Sequence, residues 1–261
     1  MSSALWVSKT GLQAQDTALR VISNNLANVT TVGFKRDRAV FSDLMYQVGQ
    51  QPGGLSTQNT QLPSGTQLGV GVRVMGTQKN FSEGSIQNTG APLDLAIEGR
   101  GFFQITLPDG SLGYSRTGSF QLNQDGQIVD PQGFALEPAI TIPEDATNVT
   151  IGVDGTVSVS RQGDTAPTQV GSIQLVNFAN PAGLEARGNN LYLETASSGA
   201  ATQGTPGENG LGATVQGALE NSNVSVVEEM VNMVATQRAY EMNARVVSTA
   251  DQMSQYMTQN I

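Results

Sequence analysis

The chain has 261 residues, enough for one large or two modest domains, with a net charge of −9 and no cysteine or histidine. The acidic balance argues against nucleic acid as a partner, because phosphate binding requires a basic surface. Without cysteine or histidine the chain lacks thiol nucleophiles, imidazole bases and the usual zinc sites, and no nucleotide-binding or nucleophile motif is complete. We therefore predict no enzymatic activity, no cofactor and no metal.

The first predicted element is an amphipathic helix from Ser3 to Asn28. This stretch contains no proline and one glycine, and its leucines recur every seven residues. A heptad repeat on a helix of about 26 residues, about 39 Å long, is typical of coiled-coil packing. The repeat is incomplete, because Ser8 and Gln15 occupy two of the intermediate positions. The leucines of the repeat are Leu5, Leu12, Leu19 and Leu26.

The end of this helix is unusually polar, in the stretch SNNLANVTTVGFKRDR at residues 23–38. Asparagine is a poor helix former, because its side chain competes for nearby backbone groups. Several asparagines set among apolar residues therefore indicate a specific ending to the helix.

The middle of the chain is predicted to be rich in β-strands. Residues 36–90 are predicted to be an extended connecting region, because the stretch at 49–71 is polar and rich in glycine and glutamine. Residues 91–221 contain short apolar runs separated by the turn signals PDG, NQDG, DPQG and VDGT. Such signals predict β-hairpins. NQDG also resembles part of a calcium loop, but the downstream glutamate that such a loop requires is missing.

The last predicted element is a helix within residues 222–261, which contain no glycine or proline. Ser225 followed by Glu228 is typical of a capping box. Apolar residues then recur at alternating spacings of three and four, which predicts an apolar face. Such a face can pack on the core of its own chain, but its position beyond a β-rich middle favours packing on the other terminal helix or on a neighbouring chain. The face includes Val231, Met242, Val246 and Met253.

Three blocks of sequence, in order, closely resemble the family of bacterial flagellar rod and hook proteins. The first is SNNLANVTTVGFKRDR, and the second is DLAIEGRGFFQI together with YSRTGSFQLNQDGQIVDPQGFAL. The third is ENSNVSVVEEMVNMVATQRAYEMNARVVSTADQM. Residues 46–72 resemble a segment typical of distal rod members and absent from the usual hook protein.

The resemblance implies an α+β fold in which long N- and C-terminal helices pair in a coiled-coil-like inner domain. The predicted segments are the N-terminal helix of the inner domain at 1–35, the extended connecting region at 36–90, a β-rich central outer domain at 91–221, and the C-terminal helix of the inner domain at 222–261. Many copies would stack helically into a rigid drive shaft that transmits motor torque to the hook and encloses an export channel.

The resemblance also implies partners and a location. The partners would be further copies of the chain, the proximal rod proteins, the hook protein, and the P-ring and L-ring proteins. The rod would cross the periplasm, and its subunits would be exported without a cleaved signal peptide. No apolar run is long enough to span a membrane, so we expect no membrane insertion. Two alternatives stay open: a proximal rod protein, which shares all three blocks, and a secreted β-rich fibre or adhesin module.

The resemblance suggests a hypothesis for the polar turn and for the assembly interface. Asn24, Asn25 and Asn28 would end the helix and form hydrogen bonds with backbone groups or with neighbouring subunits. Gly33 would supply the conformation that turns Phe34 into a packed contact. The residues assigned to the assembly interface are Leu5, Leu12, Leu19, Asn24, Asn25, Leu26, Asn28, Gly33, Phe34, Val231, Tyr240, Met242, Val246 and Met253.

Overall fold

A computed structural model describes residues 2–51, 55–57, 60–61, 64–162 and 166–259. The described residues form two compact units, each built from stretches that are distant in sequence. The helical unit falls within Met1–Leu26, Asp37–Gln78 and Ser225–Ile261, and the β unit falls within Ala27–Arg36 and Lys79–Val224. The division into four segments that the sequence suggested stays a prediction.

Both terminal helices are present where the sequence predicted them. Helix α1 spans Ser2–Ala27 and helix α2 spans Val226–Gln259. Ser225 caps α2, because its carbonyl accepts the Glu229 N–H at 3.0 Å and its hydroxyl lies 3.5 Å from the Glu228 nitrogen. The helices and the β-rich middle agree with the predicted α+β class, whereas the coiled-coil pairing stays a prediction.

The region predicted to be an extended connector contains paired strands. Strand β1 pairs with β6, β2 with β5 and β3 with β4, and this nested order is that of one long hairpin. The sequence pattern did not reveal it, because Tyr46–Gln50 and Thr66–Gly69 are short and exposed on both faces, and the alternation of Tyr46 and Val48 with polar residues extends over only one of these two strands. The strands are β1 Asp37–Asp43, β2 Tyr46–Gln50, β3 Leu55–Thr57, β4 Thr60–Gln61, β5 Thr66–Gly69 and β6 Val72–Lys79.

The β unit is built from short strands joined mostly by tight turns. Its strands are β7 Ile86–Asn88, β8 Leu95–Glu98, β9 Phe102–Thr106, β10 Leu112–Ser115, β11 Gln121–Leu122, β12 Ile128–Val129, β13 Ala135–Glu137, β14 Ala146–Ile151, β15 Thr156–Arg161, β16 Thr168–Ser172, β17 Leu175–Asn177, β18 Glu185–Gly188, β19 Leu191–Leu193, β20 Thr202–Gly204, β21 Ala213–Gln216 and β22 Ala218–Glu220. A short 3₁₀ helix spans Pro181–Gly183.

The largest sheet of the β unit has the order β11-β12-β13-β9-β10-β19-β18, with β17 pairing to β9 and β20 to β17. Strands β14, β15 and β16 form a second antiparallel sheet, and β21 pairs with β8 and β22 with β7. The four predicted hairpins are confirmed, since antiparallel pairs flank PDG (β9–β10), NQDG (β11–β12), DPQG (β12–β13) and VDGT (β14–β15). Their glycines, Gly110, Gly126, Gly133 and Gly155, have positive φ angles, which glycine adopts without strain.

The core of the β unit lies on both faces of β9, because successive side chains of a strand point to opposite faces. Phe103 is fully buried in the larger cluster and meets the Phe120 ring edge-on, with 5.1 Å between ring centroids. Phe102 lies in an aromatic cluster with Tyr114, Phe178 and Tyr192. The two apolar clusters therefore pack against the two faces of the same strand.

Candidate assembly surfaces

The predicted stripe of α1 is largely covered within the chain. Ile22 and Ser8 are buried. A Cβ built on Gly11 would lie 3.1 Å from Nδ2 of Asn243, so α1 and α2 approach each other closely at this point. The leucines Leu5, Leu12, Leu19 and Leu26 are half-buried, at one edge of the covered face.

The polar turn is fixed to the backbone of its own chain. The side chain of Asn25 is only 1% exposed, its amide donates to the Asp37 carbonyl at 2.8 Å, and its oxygen accepts the Asp37 N–H at 2.9 Å. The sequence left open whether Asn25 binds backbone groups or neighbouring subunits, and the structure shows that it binds the backbone of its own chain. Asn28 is half-buried and accepts a hydrogen bond from the Thr31 hydroxyl at 3.2 Å, whereas Asn24 is exposed.

Gly33 and Phe34 take the conformations predicted for them. Gly33 has a φ of 69°, and a Cβ there would lie 2.9 Å from backbone atoms of Arg116 and Thr117. Phe34 is buried, and the Lys79 ammonium lies 5.4 Å from the centroid of its ring. Their part in assembly stays a prediction.

Helix α2 has an apolar face that its own chain does not cover. The side that meets α1 at Asn243 also carries Glu229, Thr236 and Val247, which are buried or half-buried. The apolar face spans the opposite side and one flank of the helix, and each of its residues is between 48% and 73% exposed. Tyr240 lies outside this face and is 41% exposed. The apolar face of α2 consists of Val227, Met230, Val231, Val234, Met242, Val246 and Met253.

The hairpin of the helical unit also exposes large apolar side chains. Met45 is 86% exposed and Leu68 is 63% exposed. Tyr46 and Val48 on β2 are also exposed. Leu68 pairs with Gln47 and therefore lies on the opposite face of the hairpin from Tyr46 and Val48. Exposed apolar side chains on both faces are candidates for contact with other protein surfaces.

An ionic cluster that the sequence did not reveal ties three stretches of the β unit together. The Lys35 ammonium lies 2.6 Å from one oxygen of Glu220, and the Arg116 guanidinium lies 2.7 Å from the other. Arg116 also donates to the carbonyls of Gly99 and Gly101, at 2.9 and 2.7 Å. All three charged side chains are at most 4% exposed. We call them the Lys35–Glu220–Arg116 cluster.

Burial and charge act in opposite directions within this cluster. Burial would raise the pKa of Glu220, but the charges of Arg116 and Lys35 and the hydrogen bonds to the carboxylate outweigh it and hold the pKa below its ordinary value. Burial has the largest effect on Lys35 and lowers its pKa. The Glu220 charge raises the pKa and the Arg116 charge lowers it by less, so that the pKa stays below its ordinary value. The cluster therefore depends on its carboxylate staying ionised.

Backbone and amide hydrogen bonds surround the cluster. The Gly33 N–H donates to the Glu220 carbonyl at 2.7 Å, and the Gly84 N–H donates to the Glu220 carboxylate at 2.8 Å. Asn223 accepts the Arg36 N–H at 2.8 Å and donates to the Asn80 carbonyl at 2.8 Å. The segments that lead out of α1 and into α2 are thus held side by side.

Neither described helix has a segment long and apolar enough to cross a membrane. No group of three or more metal-ligating side chains occurs among the residues that the structure describes.

Comparison with known families gives matches in three regions. The family "Flagella basal body rod protein" matches residues 5–35, "Flagellar hook protein FlgE/F/G D1 domain" matches 96–159, and "Flagellar basal body rod FlgEFG protein C-terminal" matches 215–260. Each of these three regions contains one member of the Lys35–Glu220–Arg116 cluster. The matches define the class of the chain as that of the axial proteins of the bacterial flagellum.

Individual relatives narrow this class. The flagellar basal-body rod protein FlgG of Buchnera aphidicola subsp. Schizaphis graminum is 54% identical over 259 residues, which cover 99% of this chain and 100% of that protein. FlgG of Caulobacter vibrioides is 48% identical, covering 98% of each chain. The hook protein FlgE of Salmonella typhimurium is 25% identical, covering 93% of this chain and 96% of that protein.

The chain belongs to the family of flagellar basal-body rod proteins FlgG. It is a structural subunit of the distal rod of the flagellar basal body. The two alternatives, a proximal rod protein and a secreted fibre module, are not favoured by these relatives.

Proposed function

We propose that this distal rod subunit polymerises helically through its terminal helices into a rigid shaft around an export channel. The observation that carries the proposal is the apolar face of α2. Relative to Asn243, which meets α1, its seven large side chains lie on the opposite side and on one flank of the helix, and each is at least 48% exposed. A soluble chain rarely leaves such a row exposed unless another molecule covers it.

The two helices would pair as antiparallel neighbours within one subunit. The chain leaving α1 and the chain entering α2 are joined by hydrogen bonds, from the Gly33 N–H to Glu220 and from the Asn223 N–H to Phe34. Gly11 lies sixteen residues before the end of α1, and its neighbour Asn243 lies seventeen residues after the start of α2. Equal distances from adjoining ends are expected of helices that run side by side in opposite directions. The small Gly11 allows their close approach.

The apolar face of α2 would then be covered by α1 or α2 of other copies. Such packing would complete the coiled-coil-like inner domain of the polymer around the channel. The partners at the ends and sides of the polymer would be the proximal rod proteins, the hook protein, and the P-ring and L-ring proteins. The shaft would cross the periplasm, and its subunits would be exported without a cleaved signal peptide.

The test is a charge placed on the apolar face of α2. Val246→Asp would bury an unpaired carboxylate in the polymer, which costs several kcal/mol. We expect the variant to stay a folded monomer by circular dichroism and to form no rods in electron microscopy of basal bodies. Ala244→Asp is the matched control, because Ala244 is exposed and lies about 200° around the helix from Val246. Rods of normal length from Val246→Asp would contradict the proposal.

A further inference from the structure

A pocket of about 320 Å³ lies in the β unit beside the Lys35–Glu220–Arg116 cluster. Its walls combine cationic side chains with aromatic rings. Lys35, Arg100 and Arg116 line one part, and Phe81, Phe102 and Phe178 line another. Nothing in a rod subunit's structural role requires such a combination, so the pocket calls for its own explanation.

The buried charge beside the pocket is not balanced. The cluster contains two cations and one carboxylate, which leaves a net charge of +1 on side chains that are at most 4% exposed. The Glu83 carboxylate also raises the pKa of Lys35, but it is exposed and accepts the Gly99 N–H at 3.2 Å. Apart from Glu220, the two buried cations face only backbone carbonyls, so an anion in the pocket would be stabilised by the remaining positive charge. The lowered pKa of Lys35 is consistent with this imbalance.

The side-chain groups around the pocket that remain open are donors. The Lys35 ammonium has three N–H groups and donates to Glu220 and to the Ser82 carbonyl, so one N–H has no acceptor among the described residues. The oxygen of Asn177 accepts the Phe178 N–H at 2.9 Å, whereas its NH₂ group has no acceptor in the same part of the chain. The exposed guanidinium of Arg100 forms no ion pair with the residues described. Open donors without open acceptors favour an anion that only accepts.

The phenylalanine rings of the pocket indicate that the anion carries an apolar group. Phe81 and Phe178 each meet Phe102 edge-on, with ring centroids 5.4 and 5.9 Å apart, and form an apolar wall. A volume of about 320 Å³ equals that of about ten waters, which is close to the size of one ring with a short acid chain. A bare inorganic anion would leave the apolar wall uncovered.

We propose that this pocket binds a carboxylate carried on an apolar or aromatic body. The carboxylate lies against the donors of Lys35, Asn177 and Arg100, and the body lies against the phenylalanine rings. The carboxylate can come from a free organic acid or from an acidic side chain of another copy of this chain.

The experiment uses the full chain as a monomer, with 3-phenylpropionate as the probe and 3-phenylpropanamide as the uncharged comparison. Binding is followed by isothermal titration calorimetry and by NMR shifts of the amides of residues 100–102 and 177–179. We expect the acid to bind at least tenfold more tightly than the amide. Arg100→Gln should weaken binding of the acid at least fivefold, because the exposed Arg100 contributes charge without supporting the core.

The matched control is Arg187→Gln, which removes an exposed arginine of the same unit that is paired with Asp109 outside the pocket. It should leave binding of the acid unchanged. Equal binding of acid and amide, or equal effects of the two arginine substitutions, would overturn the proposal, as would shifts confined to other residues. A second measurement, of polymerisation in the presence of each probe, distinguishes the two sources of the carboxylate. Inhibition by the acid but not by the amide identifies an acidic side chain of another copy. Polymerisation that is insensitive to both probes identifies a free organic acid.

Discussion

At the scale of single residues, Glu220 joins segments that local sequence patterns treat as independent. Its carboxylate binds Lys35, which lies 185 residues away, and Arg116, which lies 104 residues away. Removing it would leave two cations buried without their anion. Removal of one member of a buried ion pair costs about 3–5 kcal/mol.

We therefore predict that Glu220→Gln lowers the free energy of unfolding by about 3–5 kcal/mol at pH 7. The folded pKa of Glu220 lies below its ordinary value, so its stabilising contribution is complete above about pH 4.3, the unfolded pKa. It is lost as the pH falls through the lower folded pKa. Urea unfolding at pH 7 and at pH 2.5 should show a larger difference between wild type and variant at pH 7 than at pH 2.5. Glu144→Gln, which removes an exposed carboxylate, should change stability by less than about 0.5 kcal/mol.

A second prediction concerns Asn25, whose side chain binds the Asp37 backbone through both its amide and its oxygen. Asn25→Ala leaves a buried N–H and carbonyl without their partners, which costs about 1–3 kcal/mol. We expect faster hydrogen exchange at the Asp37 amide and a less stable monomer. Asn24→Ala, at an exposed position, is the control, and equal exchange in both variants would argue against this role for Asn25.

At the scale of secondary-structure elements, the helices, strands and turns differ in how clearly the sequence encodes them. Both helices follow from the absence of proline, and α2 also has the Ser225 cap. The four glycine turns follow from residues that tolerate positive φ. The hairpin of residues 37–79 gives no such signal, because strands exposed on both faces need no apolar alternation. The Lys35–Glu220–Arg116 cluster gives none either, because no periodic pattern relates charges so far apart.

The hairpin is the element to which we assign stiffness. Tyr46, Val48 and Leu68 are exposed on β2 and β5, where neighbouring copies would cover them. Deleting residues 46–63 should leave subunits that assemble into a bent or pliable rod, visible by electron microscopy. Parts of this segment, at 52–54, 58–59 and 62–63, lie outside the described residues. A straight, stiff rod from this deletion would move the source of stiffness to the β unit.

At the scale of the whole molecule, charge is divided unevenly between the two units. The stretches of the helical unit carry six Lys and Arg against seven Asp and Glu, a net charge of −1. Those of the β unit carry seven against fifteen, a net charge of −8. The unit with exposed apolar faces is thus nearly neutral, and repulsion between copies comes mostly from the β unit.

We predict that polymerisation of the purified chain is slow at low ionic strength and becomes several-fold faster in about 0.5 M NaCl. Screening reduces repulsion between β units, because the Debye length falls from about 10 Å at 0.1 M towards about 3 Å at 1 M. Light scattering measures the rate. The double variant Glu144→Gln/Glu185→Gln removes two exposed carboxylates of the β unit and should flatten the salt dependence. A rate independent of salt would show that these charges lie too far apart in the polymer to interact.

The large sequence separation of Glu220 from Lys35 and Arg116 also fixes the order in which the members of the cluster become available during emergence of the chain. A chain that emerges from its N-terminus releases Lys35 early, Arg116 near its middle and Glu220 only after more than four-fifths of its length has emerged. Until then the two cations lack the carboxylate that makes their burial tolerable, so burying them would cost several kcal/mol. We therefore expect the β unit to pack fully only after Glu220 is available.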